Sequence, residues 1–312
     1  MDGGLNFNNN DLETVLSMRG LSKHYGRIKA VDDLSLEVKK GNIFGILGPN
    51  GSGKTTTLGM ILDVINPTTG DYKWFGEEPT KDTRKKIGAI LEHPIFYPYL
   101  TGIQNLKIVC DIKGVPYKRI DEVLEQVGLD ERKESKFKTY SLGMKQRLSI
   151  ASALLCDPEV MLLDEPTNGL DPQGIAEIRE LIIDIANSGK TILLASHLLD
   201  EVQKVCTHFA VLRRGKLMHV GLVDDVGKGH TTVEVKADTE ELLSLLEQSG
   251  MASKVKRELD KHIMTMNDGY SPVDVNRYLF DKGVTAKHLV LKTRSLEQQF
   301  LEILAENKGG AE

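Results

Sequence analysis

Two short stretches of this 312-residue chain carry residue types suited to phosphate chemistry. The first, Gly48-Pro49-Asn50-Gly51-Ser52-Gly53-Lys54-Thr55, followed by Thr56, fits the pattern GxxxxGK[ST]. Glycines at this spacing let backbone N–H groups converge on phosphate oxygens, and a helix starting there adds its partial positive charge. Lys54 then supplies an ammonium for β and γ phosphates, and Thr55 an oxygen for Mg²⁺. The second, Val160-Met161-Leu162-Leu163-Asp164-Glu165, is a wholly apolar run ending in two carboxylates. Asp164 suits holding a phosphate-bound metal through water, and Glu165 suits orienting and polarising an attacking water.

Both stretches need a frame, and the flanking sequence provides one. Asn42–Leu47 is a short apolar strand run leading into the glycine cluster, and Thr55–Val64 has a helical apolar pattern. Val160–Leu163 and Thr191–Ala195 are buried-type strands separated by a helical stretch, Gly174–Asn187, the alternation of a parallel sheet with helices on both faces. Val15–Met18 and Leu34–Val38 predict short antiparallel strands around a turn at Tyr25 and Gly26. A helical insertion at about 93–155 is broken at Gly114-Val115-Pro116 and at Asp130–Lys138, and Phe209–Val220 reads as a hairpin turning at Arg214 and Gly215. The expected fold is α/β: a P-loop nucleotide-binding core of mixed sheet, with an antiparallel β subdomain and the helical insertion.

The pattern changes after Gly227-Lys228-Gly229, which reads as a linker. Strands at Thr232–Lys236, Lys254–Glu258, His262–Met266 and Lys287–Leu291 interleave with helices at Thr239–Gln248 and Pro272–Lys282, predicting a small α+β unit of order βαββαβ. A last helix is expected over Ser295–Glu306, with Leu296, Phe300, Leu301 and Leu304 on one face. The domains are therefore expected at 13–226 and 227–312, after a loose tail at 1–12. No internal repeat is visible, so the chain carries one nucleotide core.

Composition narrows the partners. Hydrophobic residues at 40% and charged residues at 27% fit a globular protein. The 40 basic and 45 acidic residues, net −5, leave no polyanion footprint, which argues against nucleic acid. No apolar run approaches the roughly 18 residues needed to span a bilayer, and Met1–Asp11 lacks the basic head and apolar middle of a secretory signal. A cytoplasmic location is expected. Cys110, Cys156 and Cys206 are widely spaced and outside any CxxC pair, consistent with reduced core thiols.

Taken in order, these motifs resemble the ATP-binding cassette ATPases over about residues 14–226. Tyr140-Ser141-Leu142-Gly143-Met144 stands where that family has its LSGGQ signature, keeping Ser141 and Gly143 and replacing the first glycine and the glutamine with Leu142 and Met144. The resemblance implies that Ser141 and Gly143 meet the γ phosphate held by an opposite subunit. It also implies that His197 contacts the γ phosphate as the switch histidine, that Asp171 in Asn168-Gly169-Leu170-Asp171 crosses the dimer interface, and that Tyr25 stacks on adenine. Glu92, in Ile90-Leu91-Glu92-His93-Pro94, replaces the usual glutamine and faces the metal. That replacement and the run Ser141–Gln146 resemble the bacitracin-export and lantibiotic-immunity branch; the ending Ser295–Leu301 resembles multidrug and peptide exporter ATPases.

The family implies ATP and Mg²⁺ as cofactors and a dimer, of two copies or with a paralogous ATPase subunit, around two ATP. It implies a motor subunit of a membrane exporter, peripheral on the inner face of the plasma membrane and coupled to a multi-spanning transmembrane permease subunit. The aromatic cluster Ile95, Phe96, Tyr97 and Tyr99 sits where the family receives that subunit. A soluble cassette ATPase acting as a mechanochemical switch outside transport is the alternative, but it calls for tandem cassettes or a long heptad insertion, and neither occurs here.

Overall fold

In a computed structural model, residues 13–91, 95–225, 232–267 and 269–292 are described. The expected tail at 1–12, Glu92, the 227–229 linker and the Ser295–Glu306 helix lie outside the described residues. The chain divides into two compact units, Met1–Gly221 and Leu222–Glu312.

The first unit opens with an antiparallel pair, β1 (Thr14–Tyr25) and β2 (Ile28–Lys39), turning at Arg27. Both strands far exceed the short runs expected from the sequence. Register shifts after Met18 and Leu21 break the alternation of side chains, and with it the period-two signal on which strand reading depends. Next come β3 (Ile43–Leu47), α1 (Lys54–Ile61), β4 (Thr69–Trp74), α2 (Lys81–Lys85) and β5 (Ile87–Ile90). The helical insertion holds α3 (Gly102–Lys113), α4 (Arg119–Gln126) and α5 (Leu142–Leu154), and its breaks fall where the glycine, proline and polar residues predict them. Then follow β6 (Val160–Asp164), α6 (Pro172–Asn187), β7 (Thr191–Ser196), α7 (Leu199–Val205), β8 (His208–Arg213) and β9 (Lys216–Leu222).

Two sheets result. One is three-stranded, in the order β2-β1-β4; the other runs β5-β6-β7-β3-β8-β9, with β5, β6, β7, β3 and β8 mutually parallel. Strands β3, β6 and β7 are buried along their whole length, which is why they read as unbroken apolar runs. Between the sheets lies a core of Leu16, Leu34, Phe44, Leu58, Met60 and Leu193. The sole tryptophan, Trp74, is wholly buried there and its Nε1–H donates to the Ile61 carbonyl at 2.8 Å, tying β4 to the end of α1. The consequence for function is geometric: β3, β6 and β7 lie side by side, Leu47 opposite Ser196 and Asp164 opposite Ala195, so the loops after all three leave one edge of the sheet together.

The second unit contains β10 (Thr232–Ala237), α8 (Leu242–Gln248), β11 (Ala252–Glu258), β12 (Lys261–Met266), α9 (Pro272–Asp281) and β13 (Ala286–Lys292), the expected βαββαβ order. Its sheet runs β11-β12-β10-β13 with antiparallel neighbours. Val233, Val235, Met264, Leu246, Val275 and Leu279 form its core. Glu234, between two core valines, points to the other face and is nevertheless buried. It accepts from Lys261 Nζ at 2.6 Å and lies 2.7 Å from Lys292 Nζ and 3.4 Å from His288 Nε2.

These partners, Lys261 first and then Lys292, outweigh burial and hold the Glu234 carboxyl down at about 2. A carboxyl lowered in the folded state stabilises fully above its ordinary value, 4.5, and that contribution is lost as the pH falls towards 2. Glu234→Gln is expected to lower the melting temperature of the full chain at pH 7 and to flatten its decline between pH 4.5 and 2. Parallel wild-type and variant melting curves across that window would show that the ionised carboxylate contributes nothing.

Candidate active site

The glycine loop follows β3 directly. Gly48 N–H donates to the Ser196 carbonyl at 3.3 Å, joining the loop's start to the end of β7. Two glycines here are required by space: a Cβ at Gly48 would stand 2.4 Å from the Leu212 carbonyl oxygen, and one at Gly53 2.5 Å from that of Ala30. Gly53, at φ +108, is the residue before α1, and no side chain caps that helix, so its first N–H groups are left to a ligand. Pro49, Asn50, Gly51 and Thr55 are exposed, Thr56 is half-buried, and Ser52 and Lys54 are buried. Ser52 Oγ is shielded from solvent with no hydrogen-bond partner among the described residues. The cradle is thus tight, glycine-dependent and supplied with unspent donors, and it fits a phosphate chain.

Lys54 turns its ammonium back over the loop, donating to the carbonyls of Gly48 at 2.8 Å and Pro49 at 3.4 Å. Glu165 Oε1 lies 3.3 Å from the same nitrogen. A buried ammonium needs such company, because its desolvation is otherwise uncompensated.

Asp164 ends β6 and is 3% exposed. The chain turns sharply at Glu165, whose φ of +49 is left-handed, a conformation that costs a non-glycine residue on the order of 1 kcal/mol. Backbone bonds hold the turn: Glu165 N–H donates to the Ala195 carbonyl at 2.9 Å, and Asn168 N–H to the Glu165 carbonyl at 3.1 Å. The turn brings the Glu165 carboxylate between Lys54 and His197, whose Nδ1 lies 2.8 Å from Oε2 and whose N–H donates to it at 3.3 Å. Three segments far apart in sequence, carrying Lys54, the neighbours Asp164 and Glu165, and His197, therefore meet at one sheet edge. Thr55 and Asp164 offer hydroxyl and carboxylate oxygens, the hard donors that suit Mg²⁺.

The remaining site residues lie in two other places. Ser141 caps α5, its Oγ accepting from Met144 N–H at 3.2 Å, and Asp171 caps α6, its Oδ1 accepting from Gly174 N–H at 2.9 Å. Ser141, Gly143, Leu170, Asp171, Arg147 and Glu177 line a cavity of about 390 Å³. Leu170 belongs to the Asn168–Asp171 motif, whereas Arg147, in the second turn of α5, and Glu177 were given no role from the sequence. Tyr25 is half exposed at the end of β1, with Lys23 Nζ 5.1 Å from its ring centroid. In the aromatic cluster Phe96 turns inward, edge-on to Phe137 at 5.2 Å, while Ile95, Tyr97 and Tyr99 face outward.

The family model described as ABC transporter matches residues 31–168. A bacitracin transport ATP-binding protein from Bacillus licheniformis is 38% identical over 300 residues, 94% of this chain and 98% of its own. A lantibiotic transport ATP-binding protein from Streptococcus pyogenes is 37% identical over 204 residues, 65% of this chain and 89% of its own. Among solved structures, a dimeric ATP-binding cassette in a post-hydrolysis state with ADP and phosphate matches with TM-score 0.59 and 26% identity, covering 67% of this chain and 98% of that one.

The Lys54–Glu165 contact carries a prediction. A phosphate approaching Lys54 competes with the Glu165 carboxylate for one ammonium, so Glu165→Gln is expected to tighten binding of an ATP analogue about threefold to tenfold, ~1 kcal/mol for a partly exposed pair. Equal or weaker affinity in an equilibrium titration would show that the two do not compete.

Proposed function

Because the chain belongs to the ATP-binding proteins of the ABC transporter family, and so binds and hydrolyses ATP, we propose that it is the motor subunit of a membrane exporter, with Glu165 as the hydrolytic carboxylate. The observation that carries this reading is the position of Glu165, at the end of β6 between Lys54 and His197. The glycine loop and Lys54 bind the phosphates, Glu165 orients and accepts a proton from the attacking water, and His197 holds the Glu165 carboxylate in register. Thr55 and Asp164 would hold Mg²⁺, which would supply neutralisation of charge on the phosphate oxygens. Tyr25 supplies a face for adenine.

The composite site is completed by a second cassette. Ser141 and Gly143 lie at the start of α5, apart from the Lys54–Glu165 cluster, and a helix start is an anion site that another copy's γ phosphate can use. Among the described residues no helix is long and apolar enough to cross a membrane. In this reading the channel belongs to a separate transmembrane subunit, met at the inner face through the exposed Ile95, Tyr97 and Tyr99. The relatives named for bacitracin and lantibiotic transport support export. Co-purification with a multi-spanning protein from detergent extract tests this against a soluble switch ATPase, which would emerge alone.

Glu165→Gln keeps the shape and removes the base; turnover is expected to fall roughly 10²- to 10⁴-fold, about 3 to 5 kcal/mol of barrier, with an ATP-dependent dimer accumulating. Wild-type turnover would strip Glu165 of its role. In that background, Ser141→Arg places bulk at the start of α5 and is expected to abolish the dimer while leaving ATP binding to the monomer intact. Size-exclusion chromatography with ATP reads the outcome, and a persistent dimer would count against the composite site.

A further inference from the structure

The helices that begin at the proposed phosphate contacts are cross-tied by two ion pairs. Helix α5 starts after Ser141, α6 after Asp171, and α7 two residues beyond His197. Arg147 of α5 donates from Nη2 to Glu177 Oε2 of α6 at 2.9 Å and from Nη1 to the Val127 carbonyl at 2.7 Å. Gln173 Nε2 donates to the other Glu177 oxygen at 3.0 Å. That carboxylate is fully engaged, and the bond from Arg147 holds its carboxyl below the usual range.

The second tie differs. Arg179 of α6 donates from Nη2 to Glu201 Oε1 of α7 at 2.9 Å, and the Glu201 side chain is only 8% exposed. Yet Arg179 Nε and Glu201 Oε2 are both shielded from solvent and lack a hydrogen-bond partner among the described residues. A buried charge pair making one bond where its fork and carboxylate offer two is under-satisfied, and each unspent group carries a desolvation cost. A small movement of α7 along α6 engages Nε with Oε2 as well. The joint is one-pronged here and has the unspent groups for a second prong, the property a switching contact needs.

We propose that Arg179 and Glu201 are positioning residues for hydrolysis, a strut that closes from one prong to two when His197 shifts from Glu165 towards substrate phosphate. Glu201 lies four residues beyond His197 on the same short segment, so the strut sets His197 relative to Asp171 and, through Arg147 and Glu177, relative to Ser141. The inference rests on the reading of Glu165 and His197 as the hydrolytic pair.

The test measures kcat, KM and melting temperature of the full-length protein. Arg179→Met with Glu201→Met removes both charges together, so no lone buried charge remains, and melting is expected at or above the wild-type temperature. The strut predicts kcat lowered about tenfold with KM within about twofold, and a triple variant with His197→Ala no slower than His197→Ala alone, because the pair acts through His197. A purely structural pair would give wild-type kcat, and losses that multiply with those of His197→Ala would place the pair outside this unit; either overturns the inference. Should the double variant melt low, Arg179→Lys decides: it keeps the charge and one prong but not the fork. Lowered kcat at unchanged stability then supports the strut, and unchanged kcat overturns it. If His197→Ala alone keeps wild-type turnover, the site reading itself falls and the strut with it, an outcome distinct from a failed strut beside an impaired His197→Ala.

Discussion

The arrangement depends on seating one ammonium at the edge of a parallel sheet. The Lys54 side chain is only 5% exposed, and a positive charge so placed must be surrounded by oxygen. The Gly48 and Pro49 carbonyls supply part of that shell and Glu165 the rest. This requirement draws the ends of β3, β6 and β7 into one cluster. It also accounts for the left-handed turn at Glu165, because an extended chain after Asp164 would carry the carboxylate away from the ammonium. A phosphate chain satisfies the same need with more charge, so in the function proposed above substrate binding and release of Glu165 for work on water are two sides of one exchange.

The parts of the molecule that were legible in the sequence are those where one physical signal dominates. Strands β3, β6 and β7 are buried on both faces and read as apolar runs; the glycine loop is fixed by sterics at Gly48 and Gly53. Even the βαββαβ order of the second unit could be read from alternating patterns. Where signals mix, the sequence was silent. The full length of β1 and β2 is hidden by register shifts, β5 is an edge strand of four residues, and α7 is a seven-residue helix without a side-chain cap. Most residues assigned to the site from the sequence lie inside contiguous patterns, with Tyr25 and His197 placed by their order along the chain; Arg147, Glu177, Arg179 and Glu201 pair between helices, and pairing across helices leaves no local trace.

The two units solve the problem of buried charge in opposite ways. In the first, Lys54 is held by contacts that a substrate can replace. In the second, Glu234 is enclosed by Lys261, Lys292 and His288 on the sheet face opposite the core. Two ammonium groups and an imidazole around one carboxylate leave little for a ligand to gain there, so that cluster is a structural device: it lets a strand place a charged side chain between two core valines without losing its register. A slip by one residue would bring Val233 and Val235 to the charged face and Glu234 into the core.

Gly143 shows how function separates from packing at the start of α5. It is not among the glycines with positive φ, and a Cβ there would meet nothing closer than Leu170 Cδ2 at 4.0 Å. Neither backbone conformation nor internal space requires glycine, although glycine costs a helix about 1 kcal/mol relative to alanine. What remains is the outward side, where absence of a side chain lets a ligand reach the helix's first N–H groups. Leu142 contrasts with it. It is 46% exposed and leans on Gly169, where an added Cβ would stand 3.3 Å from Leu142 Cδ2. Filling the first glycine position of the signature thus ties the start of α5 to the segment carrying Asp171 through an apolar contact, while Gly143 keeps the anion-facing side open. The departure from the family pattern falls on the residue that couples segments and spares the one to which the proposed composite site assigns an incoming phosphate.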